Sequence, residues 1–537
     1  MQPCIKNSLL LILWLVSAVS MAQEKPKDTV DYIHILYADH AATSDKYPGK
    51  QLLSGDVKIE HNGALLFCDK AIVDKIENSA IATGNVLLQQ GDTLTMRAGF
   101  VKYDGKISFA EAYDRVVLTD PKMNLHTDTL YFDRLKQEAY YTSGGVIRDS
   151  VNTLTSKLGK YMAAEKRFRF IHNVHIDNPD YQIDSYQLDY FTETGVSDFY
   201  GPTKIYNDRS YIYAEKGHYD SQQNVSWFVK NAFIKHQNTT IKADSLYYDR
   251  NREYATGNRH VVVHDSINQT WIFSDYAQRW VNKDSVRVSQ KPLVVNITDK
   301  DTLFVRATNF IVAGKPDKRH LWGYDKVRFF SKDFSGRADS LYRSDVDKTM
   351  KLMKAPVVWS DRSQITGRKI IVKNDSLNHL DSLLIPKDVF IIQKDSAGYN
   401  QIKGNKLLGK FVKDALKQID IYGNTEVIYY LREDDGSLTG VEKDKCSHIF
   451  IGFDQGEIEQ IIQYQQPEGI IYPLKEFRQL NEQTFKNFRW RGDERILSKD
   501  DIIGEKKPIY EAETKQQPTA LPEEEEEKTQ MKLPFKR

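Results

Sequence analysis

The chain has 537 residues, with 75 Lys and Arg against 74 Asp and Glu, so its formal net charge is +1. That balance excludes a nucleic-acid binder built on a basic surface, and a mean hydropathy of −0.55 argues against a protein made of many membrane spans. An apolar share of 40 % exceeds that of disordered chains, while 30 Tyr and 24 Phe against 16 Pro favour pleated, half-buried surfaces.

Residues 1–22 read as a secretory signal peptide. Lys6 supplies the positive start, Leu9 to Val16 the apolar run, and Ser20-Met21-Ala22 a cleavage site before Gln23. The run is too short to span a bilayer comfortably. Cys4 lies ahead of it and so is not the lipid-bearing cysteine of a lipoprotein. Cys68 and Cys446 then remain, too few for a disulfide scaffold.

Two short patterns alternate from about residue 50 to about residue 430. The first is Gly-x-Val-x-apolar, as in Gly55-Asp56-Val57-Lys58-Ile59 and Gly84-Asn85-Val86-Leu87-Leu88. Degraded copies follow at Asp114 to Leu118, His172 to Ile176, Lys230 to Ile234 and Asp388 to Ile391, and a late clear one at Gly423 to Val427. The second is small-Asp-x-apolar-x-aromatic-Asp, as in Thr127 to Asp133 and Ala243 to Asp249. Copies recur at roughly 27 to 33 residues, the mark of a repeat architecture. Large apolar residues two apart are strand period, and Gly, Asn and Asp punctuate the strands at turns. No stretch between 50 and 430 sustains a helical stripe. The residues therefore predict an all-β chain, an elongated antiparallel folded sheet or β-solenoid of stacked repeats of about 29 residues, each a few short strands. Cys68 and Cys446 fall in small-residue slots of distant repeats, so buried, unpaired thiols are expected.

Alternation also names an interior face. Val57 and Ile59, Val86 and Leu88, Val116 and Leu118, Val174 and Ile176, Ala232 and Ile234, Val261 and Val263, and Val389 and Ile391 should share it. Such an interior either closes on itself as a packed core or stays open as an apolar groove, and alternation does not separate the two. The recurrent Asp69, Asp128 and Asp244 read as turn and strand-edge residues, because the Gly-rich Ca²⁺-binding nonapeptide is absent. His172 and His175 are three apart on a strand, on opposite faces, and cannot chelate together. With no hydrolase, phosphate-loop or zinc-protease motif, neither a catalytic residue, a metal site nor a cofactor is expected.

After about residue 440 the rhythm breaks. Ile458 to Ile462 reads as a last strand, Leu474 to Phe488 has roughly helical spacing, and Phe488-Arg489-Trp490-Arg491 is a mixed aromatic and basic patch. Residues 441–507 should form a short mixed C-terminal cap, as solenoid ends require. The tail, 508–537, carries Glu523 to Glu527 and a basic end, and should be disordered.

The alternating Gly-Asn-Val-x-Leu and small-Asp-x-Leu-x-Tyr-Asp patterns resemble the OstA/LptA family of periplasmic lipopolysaccharide-transport proteins, also related to the N-terminal domain of the outer-membrane translocon. The clearest match is Ile81 to Ala98, which holds the family's strand, Gly turn, strand, Gly turn and return strand in order. The resemblance covers most of residues 45 to 430. It implies a β-jellyroll folded into a groove, in two tandem modules, 23–230 and 231–440. It further implies that Val57, Ile59, Val86, Leu88, Val116, Leu118, Val174, Ile176, Ala232, Ile234, Val261 and Val263 line a lipid-binding groove. The implied function is non-catalytic binding and bridging of lipopolysaccharide on its way to the outer membrane, in the periplasm and in association with the outer membrane. The implied partners are lipopolysaccharide, other transport components joined by edge-strand pairing, and further copies placed head to tail. The chain is several times longer than the family's single-domain component and lacks a C-terminal membrane-barrel pattern. The alternative is a fully packed β-solenoid that scaffolds protein–protein contacts in the cell envelope.

Overall fold

The computed structural model describes residues 32–504, apart from positions 44, 47, 92–93, 122, 209, 299–300, 316–317, 377–378, 414, 434, 455–456 and 466. The expected signal peptide and charged tail lie outside the described residues. The chain divides into two compact units, the first reaching residue 150 and including 158–164, the second made of 151–157 and everything from 165.

The first unit is an antiparallel meander. β1 (His34–Tyr37) and β2 (His40–Thr43) lie on the two halves of β3 (Lys50–His61), and β4 (Ala64–Asp74), β5 (Ser79–Gln90), β6 (Leu94–Asp104), β7 (Phe109–Asp120) and β8 (Met123–Asp133) follow in order. β9 (Glu138–Tyr141) and β10 (Gly145–Arg148) then take separate halves of β8. β11 (Thr153–Ser156) belongs to the second unit, whereas β12 (Leu158–Met162) returns to pair with β9.

Each repeat is thus one hairpin of two long strands rather than a few short ones. What makes a long strand serve two faces is a bend at its middle. Register shifts fall between Ser54 and Val57, Thr83 and Val86, and Tyr113 and Val116. The residues at these points are Gly55-Asp56, Gly84-Asn85 and Asp114-Arg115, and all six have φ between 39 and 79°. Such bulges kink the strand and sharpen its twist. The Gly-x-Val pattern is therefore the fold line of the sheet, and its degraded copies are the same left-handed pair built without glycine, at about 1–2 kcal/mol per residue. The partner pattern, small-Asp-x-apolar, supplies the brace. Asn85 donates to Asp69 across 3.0 Å, and Asn231 donates to Glu215 across 2.6 Å. The repeated carboxylates hold the next strand's bend.

Bending every strand at one line divides the sheet into two wings. The first wing holds the strand halves before the bend of β3, β5 and β7, and the second wing the halves after it.

In the second unit β13 (Arg167–Asn178), β14 (Tyr181–Phe191), β15 (Val196–Tyr206), β16 (Ser210–Asp220), β17 (Val225–His236), β18 (Thr239–Asp249), β19 (Tyr254–Asp265) and β20 (Thr270–Trp280) continue the same plan. β13, β15, β17 and β19 each start 29 residues after the last. Residue 230 sits inside β17, whose pairing with β16 and β18 runs on either side of it. Beyond β20 the bend breaks the strands into shorter wing segments: β21 (Ser285–Ser289), β22 (Leu293–Ile297), β23 (Thr302–Arg306) and β24 (Asn309–Ala313), before the long β25 (His320–Phe330). Strands continue to Tyr472, well past residue 440.

The C-terminal segment differs from its expectation. Leu474–Phe477 is a single turn, α1, and not a helix to Phe488; Lys499–Ile503 forms a second short helix, α2. Between them the chain lies as a strap on the outer face of the sheet. Two buried glutamines fasten it in both directions. Gln364 accepts from Arg491 N (2.7 Å) and donates to Arg489 O (2.8 Å), while Gln401 accepts from Phe485 N (3.0 Å). Phe477 and Phe485 pack on Phe390, Ile392, Ile428 and Tyr430, and Ile496, Ile502 and Ile503 pack on Val262, Leu293 and Val295. Residues whose backbone polar groups are claimed by side chains of the sheet have no need of helical hydrogen bonds. The aromatic-basic patch at Phe488 to Arg491 is part of this strap. Among the described residues no helix is long and apolar enough to cross a membrane.

Candidate functional site

The inner faces of the two wings are read by following cross-strand partners. In the first unit the second wing carries Ile59, Leu66, Leu88, Met96, Leu118, Leu125 and Ile147, each paired with the next. The first wing carries Val73, Ala80, Tyr103, Ala110, Phe132 and Ala139 in the same way. All of these are between 0 and 8 % exposed. Small and aromatic residues alternate on the first wing, so the leucines of the second wing have slots to fill, the interdigitation that dense packing requires.

A polar latch closes the mouth of this unit. Arg134, in the turn after β8 at the rim of the first wing, donates to His61 O (2.9 Å) and Asn62 O (2.9 Å) at the rim of the second. It also donates to the Tyr103 hydroxyl (3.0 Å), which lies 2.7 Å from His61 Nδ1. A cavity of about 20 Å³, lined by Ile59, Leu66, Leu88, Tyr103 and Arg134 among others, lies beneath it. That is room for about one water.

The second unit differs. The row that begins Ile176, Ile183, Ile205, Ile212, Ile234, Ile241 is an unbroken ladder of cross-strand isoleucines on its second wing, continued by Val263 and Ile272. Ile183 is buried, but Ile176, Ile205, Ile212, Ile234 and Ile241 are all partly exposed. Facing them, the first wing carries Tyr190, Ser197, Tyr219, Ser226 and Tyr248 in register. All but Ser226 are partly exposed as well. At the bottom, next to the bend, Val174, Leu188, Phe199, Ala214, Phe228, Ala232 and Leu246 are 1 to 4 % exposed. From β13 to β18 the wings therefore share a sealed floor and hold their upper walls apart. The result is a trough with one aliphatic wall and one wall of phenols and hydroxyls.

The trough narrows at β19. Val263, Ile272, Val294 and Val305 are buried, and Arg319, at the first-wing rim before β25, pairs with Asp265 at the second-wing rim. Burial alone would raise the Asp265 pKa, yet hydrogen bonds from Asn268 and Arg319 hold it below the ordinary carboxylate value. Past this bridge the inner row opens again at Val358, Ile365, Ile391 and Ile402.

The residues named from the sequence fall into two groups. Val57, Ile59, Val86, Leu88, Val116 and Leu118 are buried in the sealed unit, while Val174, Ala232, Val261 and Val263 form the floor or the constriction of the second. Ile176 and Ile234 reach the open trough. All lie on inner faces, as the alternation requires. Sequence reasoning missed Ile205, Ile212 and Ile241, the tyrosine wall and both rim bridges. The recurrence of Tyr190, Tyr219 and Tyr248 at the repeat length was the signal that was available.

His172 and His175 do not converge. His172 stacks edge-on against Tyr186, whereas His175 lies 2.8 Å from Asp184. Cys68 and Cys446 are buried and unpaired, one in each unit, and burial pushes the Cys68 thiol pKa up to about 11. Among the described residues no cluster of three or more His, Cys, Asp or Glu is placed to hold a metal ion.

Comparison with known proteins gives three results. No curated protein matches the chain. Among solved structures, a similar one is LptH, the LptA-homologous periplasmic component of the lipopolysaccharide transport device of Pseudomonas aeruginosa, at 13 % identity and a TM-score of 0.14, covering 26 % of this chain and 81 % of that one. The profile of the family described as OstA-like protein matches residues 31–186. That stretch, which takes in β1 to β13 and the first half of β14, is an OstA-like segment.

Proposed function

We propose that this protein is a non-catalytic periplasmic carrier that binds lipopolysaccharide and bridges it toward the outer membrane, with acyl chains lying in the trough between β13 and β18. The observation that carries this reading is the isoleucine ladder left partly exposed above a sealed floor. Apolar surface of this kind gains about 25 cal/mol for each Å² that a chain covers, and a cross-strand ladder offers it as a continuous track. The OstA-like match at residues 31–186 supports the same assignment.

Other transport components would join through edge strands. β1 and β2 pair only with β3 among the described residues, and Tyr32, Leu36 and Tyr37 beside them are 51 to 55 % exposed. The closing strands Glu457–Tyr464 and Glu468–Tyr472 expose Ile461, Ile470 and Ile471 at 45 to 63 %. These edges also suit head-to-tail association of copies. The packed-scaffold reading fits the first unit, whose interior has no room for a chain.

The test is a photo-activatable phenylalanine analogue placed at Ile205, Ile234 or Leu88 in cells of a Gram-negative host. Lipopolysaccharide adducts at 205 and 234 but not at 88 are expected. Absence of adducts at 205 and 234, with the protein folded and exported, would leave the scaffold as the function.

A further inference from the structure

The tyrosine-serine wall of the trough ends in a charge. Tyr248 pairs with Ala255 across β18 and β19, and Ala255 with Arg279 across β19 and β20. Arg279 lies two residues from Ala277, which is 7 % exposed and part of the inner core, so both side chains belong to the inner face. The next members of the row, Val286, Val312 and Leu321, are apolar. Arg279 is therefore the first charge met along this wall from β14; the next on the row, Arg343 beyond Leu321, is already paired with Asp345.

Its state differs from that of the other rim arginines. The Arg134 terminal nitrogens bond two carbonyls and a hydroxyl, and Arg319 pairs with Asp265. Arg279, partly buried, has no hydrogen-bond or ion-pair partner among the described residues. Burial pulls its pKa below the ordinary value, Arg319 adds to that pull, and Asp284 and Tyr248 oppose it from beyond pairing distance. A guanidinium half-buried on an apolar and phenolic wall, with no counter-ion and with water as its remaining partner, has donors free for an incoming anion. Its five donors form a fork that fits a carboxylate or phosphate.

We infer that Arg279 marks the headgroup end of the trough, a site for the anionic group of an amphiphile whose hydrocarbon lies along the isoleucine ladder. The inference rests on the carrier reading and deepens it. It gives the trough a polarity: hydrocarbon between β13 and β18, and a phosphate or carboxylate at β20, where the Arg319–Asp265 bridge narrows the passage. The tyrosine hydroxyls between them serve polar groups near the head.

Calorimetric titration of the purified protein with dodecyl phosphate, tetraethylene glycol monododecyl ether and inorganic phosphate, the amphiphiles below their micelle concentrations, tests it. Dodecyl phosphate should bind about tenfold more tightly than the neutral ether, equivalent to about 1.4 kcal/mol. Arg279→Leu should bring the two within about twofold, and Arg279→Lys should keep part of the preference. Equal affinities in the unsubstituted protein, or a preference that survives Arg279→Leu, would overturn the headgroup site while leaving the carrier reading intact. Inorganic phosphate binding as tightly as dodecyl phosphate, and lost in Arg279→Leu, would make it a free-anion site and overturn it too. If neither amphiphile binds, the carrier reading falls with it.

Discussion

The two units are built on the same bent hairpin, and the contrast between their interiors comes from which side chains fill one set of positions. In the first unit leucine and methionine on one wall meet alanine alternating with Tyr103 and Phe132 on the other, and the walls close. In the second unit the leucine positions hold isoleucine, and the alanine positions hold serine between tyrosines. β-branched side chains are stiff at χ1 and reach less far across a gap. Tyrosine and serine hydroxyls need hydrogen-bond partners and resist being sealed against hydrocarbon. One repeat geometry thus yields a closed body or an open trough, according to how reach and polarity are distributed along two rows.

The largest expected effect comes from putting the same charge into each interior. Leu88→Asp buries a carboxylate in the sealed unit and should cost at least about 3–4 kcal/mol, enough to unfold it locally. Ile234→Asp leaves the carboxylate at a partly wet wall and should cost about 1–2 kcal/mol while abolishing lipid adducts in the trough. Urea unfolding followed by hydrogen exchange resolves the two units. Equal losses would mean that the second interior is as closed as the first.

The latch is next in size. Arg134→Met removes charge-assisted bonds to two carbonyls and a hydroxyl and should cost about 2–3 kcal/mol in all, because water reaching the opened rim replaces part of them. Amide exchange should accelerate at residues 59–66 and 131–139 and stay unchanged in β13 to β18. If it also makes position 88 reactive toward lipid, the first unit is a trough held shut, and the contrast is one of state rather than construction.

Much of this was legible in the sequence, for identifiable reasons. Period-two alternation fixes the face of each side chain, so every named residue from Val57 to Val263 proved to be on an inner face. Gly84-Asn85 and its copies marked where the bends fall, although they read as turns between short strands and not as bulges within long ones. Width was not legible, because the gap above Ile234 depends on Tyr219 and Tyr248 on the other wing, and no local pattern joins them. The rim bridges escaped for the same reason, since Arg134 reaches Asn62 over 72 residues and Arg319 reaches Asp265 over 54. The strap was misread as helix because Phe477, Leu480, Phe485 and Phe488 do have helical spacing. Nothing near them announces that Gln364 and Gln401, far upstream, bind their backbone.

Two acidic groups give the second unit a pH signature of its own. Hydrogen bonds from Arg491, helped by Arg337, hold Glu494 down at about 2, against the burial that opposes them. A lowered pKa contributes stability that is present above the ordinary value near 4.5 and is lost as pH falls toward 2. The strap should therefore become protease-sensitive in that window, and Glu494→Gln should make it so at neutral pH. Glu442 is displaced the other way, to about 7, by burial and by its neighbour Asp444. Its contribution is present in acid and lost as pH rises through 7. Glu442→Gln should raise the melting temperature at pH 8 and change little at pH 5.

The smallest effect concerns the bend itself. Lys230 and Asn231 have φ of 59 and 51°, where the first unit's clearest copy has Gly84 followed by Asn85. Asn231 is braced by Glu215, but Lys230 carries the left-handed penalty without a comparable bond. Lys230→Gly should relieve that strain, offset in part by the freedom glycine adds to the unfolded chain, for a net gain of up to about 1 kcal/mol. The converse change, Gly84→Lys, should cost more, because a side chain there meets the Asp69 carboxylate that braces Asn85. Denaturation midpoints for the pair would measure how far the second unit's bends are strained relative to the first. A loss on Lys230→Gly would mean that the left-handed pair is stabilised by interactions other than the carboxylate brace.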